Sequence, residues 1–268
     1  MASILDRLPT SARMPALFVG HGSPMNVVLD NDFTRSLARW GQVLPRPQAI
    51  MVVSAHWLTE GTWVTCMAQP ETIHDFYGFP EALYAMRYPC PGAPQHARAA
   101  TEVFGRARVA CNDDWGLDHA SWAILKHIYP QADIPVFELS LDYGRPAEYH
   151  YALAAELAPL RERGVLIIGS GNLAHNLRLA DFRNVDAPPP DWALAFDQQA
   201  SRLMDAHDHD ALVHYERLGR EAALAIPTND HYLPLLYVLA LREKGEPLRY
   251  AYEGFQHASI SMRCVQIG

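Results

Sequence analysis

The segment GVLIIGSGNLAHNL, residues 164–177, combines an apolar run with a glycine turn and a histidine. The run predicts a buried strand, and the residues after the turn are expected to begin a helix. The spacing Gly169-x-Gly171-x-x-Ala174 fits the Gly/Ala variant of the dinucleotide-binding fingerprint, which needs such a strand and helix. Glycines alone, however, require only a tight bend and a close backbone approach. The segment therefore indicates either a nucleotide cradle or the setting of His175.

The amino-acid composition and net charge of the chain indicate which classes of partner it lacks. The chain has 268 residues, of which 49% are hydrophobic, enough for a substantial core. Its net charge is -8 and it has no block of consecutive Lys or Arg, so we expect neither a nucleic-acid nor a membrane partner. Residues 1–15 lack the apolar core of a signal peptide, and no later run has the length of a membrane span. A cytoplasmic location is expected.

The four cysteines are scattered along the chain. Cys66, Cys90, Cys111 and Cys264 show no C-x-x-C spacing, which indicates neither a thiolate zinc site nor a disulfide framework. We expect buried free thiols.

Apolar runs alternate with helix-like segments along most of the chain, which is typical of α/β layer structures. We expect one domain, residues 1–268, built as three layers with a mostly parallel or mixed central sheet flanked by helices. The predicted strands lie at 15–20, 49–55, 62–68, 134–140 and 164–170. The predicted helices lie at 32–44, 93–107, 121–129, 146–164, 190–215 and 231–245.

Two of the thirteen histidines directly follow predicted strands. His21 comes after the first strand and His56 after the second, and the carboxyl ends of parallel strands converge on one crevice. His231 falls in the first turn of a predicted helix, where Thr228, Asn229 or Asp230 can act as cap. Three neutral imidazoles suit zinc, iron, copper or nickel, and the ligand types do not choose among these metals.

Other histidines occupy different settings. His119 and His175 lie at predicted loop-to-helix junctions with small neighbours, so they suit proton transfer, with a supporting or capping role as the alternative. We expect the remaining candidates to be surface residues: His96, His150, His207 and His209.

Six motifs occur together in the order of a known family: FVGHGSPMN, VVSAHW, TIHDFYGFPEALY, GLDHASWAIL, IIGSGNLAHNL and TNDHYLPLLYVLA. From about Met14 to near the C-terminus the chain resembles the class III extradiol ring-cleavage dioxygenases of the LigB superfamily, in particular the branch of 4,5-DOPA extradiol dioxygenase-like enzymes. The resemblance implies a catalytic histidine at the glycine turn, without a dinucleotide. The region 183–192, where a second strand should end in an acidic residue, independently argues against a nucleotide site.

The resemblance implies a role for each histidine. His21, His56 and His231 match metal ligands, His175 matches a catalytic base, and His119 matches a second active-site histidine. It implies a catecholic substrate opened with dioxygen at Fe(II), with Zn(II) as an alternative occupant in isolated protein. Relatives in the wider superfamily use a carboxylate as third ligand, so Asp230 stays an alternative ligand or a supporting group.

Two other functions use the same residues. A zinc-dependent hydrolase would activate water at the three histidines, and a metal- or small-molecule-binding protein would do no chemistry there. The aromatic segment 72–94 predicts either a substrate-covering loop or ordinary packing. Candidate substrate contacts are Tyr77, Phe76, Ser23 and Asn172.

Overall fold

The computed structural model describes residues 3–268 and has an eight-stranded mixed sheet at its centre. The strand order is β4-β3-β5-β2-β6-β1-β10-β7, and β8 and β9 form a separate two-stranded sheet. The strands are β1 (Ala16–Gly20), β2 (Ala49–Thr59), β3 (Thr62–Thr65), β4 (Val109–Asn112), β5 (Val136–Asp142), β6 (Val165–Gly171), β7 (Leu248–Tyr252), β8 (Phe255–Gln256), β9 (Ile260–Ser261) and β10 (Cys264–Ile267).

Helices cover both faces of the sheet. They are α1 (Ile4–Arg7), α2 (Asp32–Val43), α3 (Glu81–Tyr84), α4 (Pro94–Val103), α5 (His119–Ile128), α6 (Ala147–Ala155), α7 (Ala158–Arg161), α8 (Asp191–Asp205), α9 (His209–Val213), α10 (Arg220–Ala225) and α11 (Leu233–Ala240), with two 3-10 helices at Pro24–Val27 and Tyr215–Leu218.

The sheet separates two hydrophobic cores. In β1, Phe18 belongs to the core that also contains residues of α4, α6, α8 and α11. Its neighbours Leu17 and Val19 belong to the opposite core, under α2 and α5. Because successive strand residues point to opposite faces, a central strand buried on both sides must be apolar throughout. The three-layer α/β arrangement expected from the sequence is confirmed.

The central strands pair in parallel. β6 pairs with β1 and β2, and β2 pairs with β5, all in parallel. The sheet becomes mixed because β3 pairs antiparallel with β5, and because β10 pairs antiparallel with both β1 and β7. All five predicted strands are present. The sequence analysis missed β4 and the strands from β7 onward.

The helix expected after the glycine turn does not form. Beyond β6 the chain stays irregular, and His175 makes an isolated antiparallel bridge with Ile260. The backbone N–H of His175 donates to the carbonyl of Ala225 at 2.9 Å, and the carbonyl of Ala174 accepts from Ser261 at 3.0 Å. Distant segments thus take the backbone groups that a helix would have used.

The start of the last helix also differs from the expectation. α11 begins at Leu233, so His231 lies in the turn before the helix. The residue at the N-cap position is Tyr232, and no side chain caps the helix. Asn229 contributes its backbone carbonyl, which accepts from the N–H groups of Tyr232 and Leu233.

The expectation of four free thiols is wrong for two of them. Cys66 and Cys111 form a disulfide, and Cys90 and Cys264 are buried free thiols. Parallel pairing of β3 with β4 places Val64 opposite Cys111 and brings Cys66 beside it, with the two cysteine Cα atoms 5.4 Å apart. This proximity comes from strand pairing and leaves no spacing signature in the sequence.

Several histidines expected at the surface are buried. His150 is fully buried, with Nδ1 3.0 Å from the hydroxyl of Tyr237 and Nε2 3.1 Å from the carbonyl oxygen of Asp142. His209 is also buried, stacks on His207 and contacts the hydroxyl of Tyr151. His96 is partly buried. No helix within residues 3–268 is both long and apolar enough to cross a membrane.

Candidate active site

The site lies at the carboxyl ends of the central strands. His21 follows β1 directly. His56 lies within β2, which is longer than expected and whose pairing with β5 shifts register between Val53 and Leu58. Because β1, β6 and β2 are neighbours and parallel, the two histidines meet at one edge. Their Nε2 atoms are 3.3 Å apart.

The glycine turn brings His231 to the same edge. A Cβ on Gly171 would lie 2.1 Å from the carbonyl oxygen of His231, and one on Gly169 would lie 2.2 Å from that of Pro234. The backbone N–H of Asn172 donates to the His231 carbonyl at 2.9 Å. The glycines are therefore required because the segment leading into α11 approaches β6 closely, which resolves the question raised by the turn.

Hydrogen bonds at Nδ1 orient two of the three rings. The Ser170 hydroxyl donates to the carbonyl of Ala120 at 2.6 Å, so its oxygen accepts from Nδ1–H of His21 at 3.1 Å. The carboxylate of Asp230 accepts from Nδ1 of His231.

The third ring, that of His56, has a carboxylate near its Nδ1. Nδ1 of His56 lies 3.4 Å from a carboxylate oxygen of Asp75. Each Nε2 lone pair is thereby left free, and one nitrogen from each of His21, His56 and His231 lies within 4.8 Å of the others. An Nδ1–H bonded to an oxygen is the usual support of a metal-binding imidazole.

Burial keeps the rings of His21 and His56 neutral. Burial, and next the neighbouring His231, lowers the pKa of His21 well below its usual value. Burial, and next His119, does the same for the pKa of His56. A neutral imidazole has the free lone pair that a metal needs, so these two side chains require no deprotonation at neutral pH before ligation.

Asp75 connects two of the histidines, and the sequence analysis did not single it out. One of its carboxylate oxygens lies 2.8 Å from Nδ1 of His119, and the other accepts from the His119 backbone N–H at 2.9 Å. Burial opposes ionisation, but the hydrogen bonds from His119 hold the pKa of Asp75 below its usual value. The carboxylate is thus ionised at neutral pH and fixes the ring of His119 beside that of His56, with ring centroids 4.1 Å apart.

Two buried carboxyl groups, those of Asp118 and Glu138, hold the backbone where α5 begins. Asp118 caps α5, accepting from the N–H of Ala120 at 2.9 Å and from the hydroxyl of Ser54 at 2.6 Å. Its own N–H donates to Glu138 at 2.9 Å. Burial, with the charge of Asp75, raises the pKa of Asp118 to about 6, and burial, with Asp118, raises that of Glu138 well above its usual value. The raised pKa of Glu138 favours its neutral form, which limits the charge buried under His119.

His175 stacks on His231. The two rings are nearly parallel, with centroids 3.5 Å apart. Burial, and next His231, lowers the pKa of His175 to about 3, so the ring is neutral at neutral pH and has a free nitrogen lone pair. His175, Asp230 and His231 form a second group close enough to hold a metal, and His56, Asp75 and His119 form a third.

A cavity of about 530 Å³ opens over the five histidines. Of the four candidate substrate contacts, Ser23, Phe76 and Tyr77 line it. Asn172 is buried outside the cavity lining, where its Nδ2 donates to the carbonyl of Ser261 at 2.9 Å. The packing role predicted for the aromatic segment holds for Phe76, which packs against the core. Tyr77 is 92% exposed, and its role in covering the substrate stays a prediction.

Comparison with known proteins identifies the family. Residues 14–262 match the family described as the catalytic LigB subunit of aromatic ring-opening dioxygenase. The chain therefore belongs to the LigB family of aromatic ring-opening dioxygenases, enzymes that depend on a metal and act on an aromatic substrate with dioxygen. The enzyme class expected from the resemblance is confirmed.

Individual relatives are similar over nearly the whole chain. A 4,5-DOPA dioxygenase extradiol of Escherichia coli K12 is 46% identical, covering 99% of this chain and 98% of that protein. The protein of the same name from Beta vulgaris is 34% identical, covering 88% and 91%. A crystal structure of an uncharacterised Escherichia coli K12 protein has a TM-score of 0.83 and 42% identity, covering 96% of this chain and 100% of the other.

Proposed function

We propose that this protein is an extradiol dioxygenase that opens a catechol at a single metal ion held by His21, His56 and His231, with residues 1–268 forming one catalytic domain. The observation that carries the proposal is the shared orientation of the three rings. Ser170, Asp75 and Asp230 occupy their Nδ1 positions, so that Nε2 of each ring is available to one ion. The two relatives named 4,5-DOPA dioxygenase extradiol support a catechol as substrate.

The donor set fits a first-row divalent metal. Three imidazoles suit iron and zinc equally well. When bound, Fe(II) supplies the redox chemistry of ring opening, which zinc cannot provide. We therefore propose Fe(II) as the working metal and zinc as an inactive occupant of the same nitrogens.

His175 is the proposed base. Its neutral ring lies against His231, in the cavity that would hold the catechol. A ring nitrogen of His175 takes the proton of a catechol hydroxyl, and the low pKa of His175 keeps that nitrogen free before the substrate binds.

His119 is the proposed second proton-transfer residue. Its Nδ1 is held by Asp75, so its Nε2 is presented to the same cavity. The buried Asp118 fixes the backbone from which His119 extends. We propose that His119 returns a proton to the opened ring.

The zinc hydrolase uses the same three nitrogens and remains the competing activity. Membership of a ring-opening dioxygenase family favours the oxygenase. Activity that requires Fe(II) and consumes dioxygen belongs to the oxygenase alone, whereas ester or amide hydrolysis by the zinc-loaded protein would support the hydrolase.

Replacement of single histidines tests the ligand set. We expect His21→Ala, His56→Ala and His231→Ala to lose stoichiometric Fe(II), measured by metal analysis after anaerobic reconstitution, and to lose oxygen uptake with catechol. His214→Ala is the matched control, because His214 lies outside the cavity near Glu148 and Asp210. Full iron occupancy in any of the three variants would remove that residue from the ligand set. Loss of iron in His119→Ala would favour the group of His56, Asp75 and His119 instead.

A further inference from the structure

A second cavity lies beside the cavity over the five histidines. This second cavity, of about 290 Å³, shares three wall residues with the first: Ser23, Phe79 and Phe182. A volume of about 530 Å³ already lies in the range of pockets that hold drug-sized ligands, which are larger than catechol itself. The combined space therefore has room for a catechol ring and for a substituent that passes between Phe79 and Phe182.

The walls on this path are largely apolar. Phe76 and Phe79 contact each other edge to face, with ring centroids 5.2 Å apart. At the mouth, Leu177 is 49% exposed and Phe182 is 60% exposed, so both present apolar surface that a ligand could cover. Covering this surface favours binding because it removes apolar side chains from water.

Positive charge is lacking along the same path. Among residues 3–268, no lysine or arginine lines either cavity. The side chain of Asp75 lines the first cavity, with one carboxyl oxygen 2.8 Å from Nδ1 of His119. A carboxylate on the substituent would thus leave water without a lysine or arginine to pair with, which is costly.

The polar groups of the second cavity are mostly engaged. The amide of Gln256 is paired at both ends with the amide of Asn26. Nδ1 of His257 lies 3.1 Å from the carbonyl oxygen of Asp181, which leaves Nε2 as a polar contact. Ser23 adds a hydroxyl where the two cavities meet.

We infer that the substrate is a catechol bearing a neutral, mainly apolar substituent that extends between Phe79 and Phe182 into the second cavity. The inference rests on the proposed ring-opening function and deepens it. It distinguishes this chain from an enzyme built for a catechol with a carboxylate side chain, because in the part of the chain that the structure describes no lysine or arginine lines either cavity to pair with such a group.

A matched pair of ligands tests the charge. Dihydrocaffeic acid and its methyl ester differ in the carboxylate alone, and the phenethyl ester adds an apolar extension. With the Fe(II)-loaded protein we expect kcat/KM for either ester to exceed that for the acid by at least about tenfold, with the phenethyl ester the better of the two. Calorimetry on the zinc-loaded protein, which cannot turn over, should give the same order of Kd values.

Two variants test the location. Leu177→Arg places a cation at the mouth and should reduce the ester-to-acid ratio of kcat/KM at least about tenfold. Val43→Arg adds the same charge at an exposed position outside both cavities and should leave the ratio unchanged. Phe182→Ala should lower kcat/KM for the phenethyl ester more than it lowers kcat/KM for the methyl ester.

The outcomes separate the two proposals. If the acid is opened as well as or better than both esters, the substrate inference is overturned and the ring-opening function stands. Failure to open any of these compounds, or catechol itself, with Fe(II) and dioxygen would overturn the function. If Leu177→Arg and Val43→Arg change the ester-to-acid ratio of kcat/KM equally, the proposed position of the substituent between Phe79 and Phe182 is overturned.

Discussion

Replacing Asp75 by asparagine tests how the two histidines beside it are held. The carboxylate has one oxygen 2.8 Å from Nδ1 of His119 and 3.4 Å from Nδ1 of His56, while the other oxygen accepts from the His119 backbone N–H. An amide keeps one oxygen and gains an NH₂ group. If the amide oxygen of the asparagine accepts from the His119 backbone N–H, its NH₂ group faces the Nδ1–H groups of His119 and His56. If the amide is rotated by 180°, the NH₂ group faces the His119 backbone N–H instead.

Each arrangement of Asp75→Asn leaves at least one buried donor without an acceptor. Such a loss costs about 1–3 kcal/mol, which corresponds to about 5- to 150-fold in an equilibrium or rate constant. Changes to groups that support metal ligands typically cost about 10- to 100-fold in metal affinity or activity, in agreement with this range. We therefore expect Fe(II) affinity or kcat to fall by about 10- to 100-fold.

The assay combines anaerobic Fe(II) titration against a competing chelator with oxygen uptake on catechol. Asp133→Asn is the control, because Asp133 is a half-exposed carboxylate paired with Arg46 at the surface. It should leave both values unchanged. If Asp75→Asn keeps its iron affinity and kcat within about twofold of the unchanged protein, Asp75 does not hold the two rings and the reasoning is refuted.

Further predictions concern the base, pH and the disulfide. His175→Ala should keep stoichiometric Fe(II) but lose about 100- to 10,000-fold in turnover; loss of iron by metal analysis would make His175 a ligand. Burial lowers the pKa of His150 to about 4, so the unfolded chain binds more protons below about pH 6.5 and the free energy of unfolding falls by roughly 3 kcal/mol towards pH 4. His150→Gln should flatten this dependence in urea titrations at several pH values, and an unchanged slope would contradict it. Thiol titration of the unfolded, unreduced protein should find two free thiols, and Cys66→Ser should have three because Cys111 loses its partner. Four thiols before the substitution and three after it would show that Cys66 and Cys111 are unpaired.

The central strands could be predicted because their environment leaves a simple signal. β1 and β6 lie between two cores, so every position in them is buried and the sequence is a continuous apolar or small-residue run. β7 is only partly buried and is interrupted by Arg249, so its pattern resembles that of a loop. Its place in the sheet depends on pairing with β10, which local sequence does not encode.

The candidate site was partly visible for a related reason. His21 and His56 were found because strand topology brings successive strand ends together. Asp75 was missed because a carboxylate in an aromatic loop has no periodicity, and its meaning depends on His119. His150 was misassigned because its partners, Tyr237 and the carbonyl of Asp142, come from elements whose contact with it only the fold defines.

The close contact between Gly171 and the backbone of His231 has a consequence for biosynthesis. The third ring of the proposed metal site is positioned by a segment that is synthesised long after His21 and His56, and it reaches its place only by docking on β6. Contacts between such distant segments form late because the intervening chain must first be ordered. The three nitrogens of the proposed site therefore come together only after the segment before α11 has docked on β6, and a chain that ends before this segment would lack the third of them.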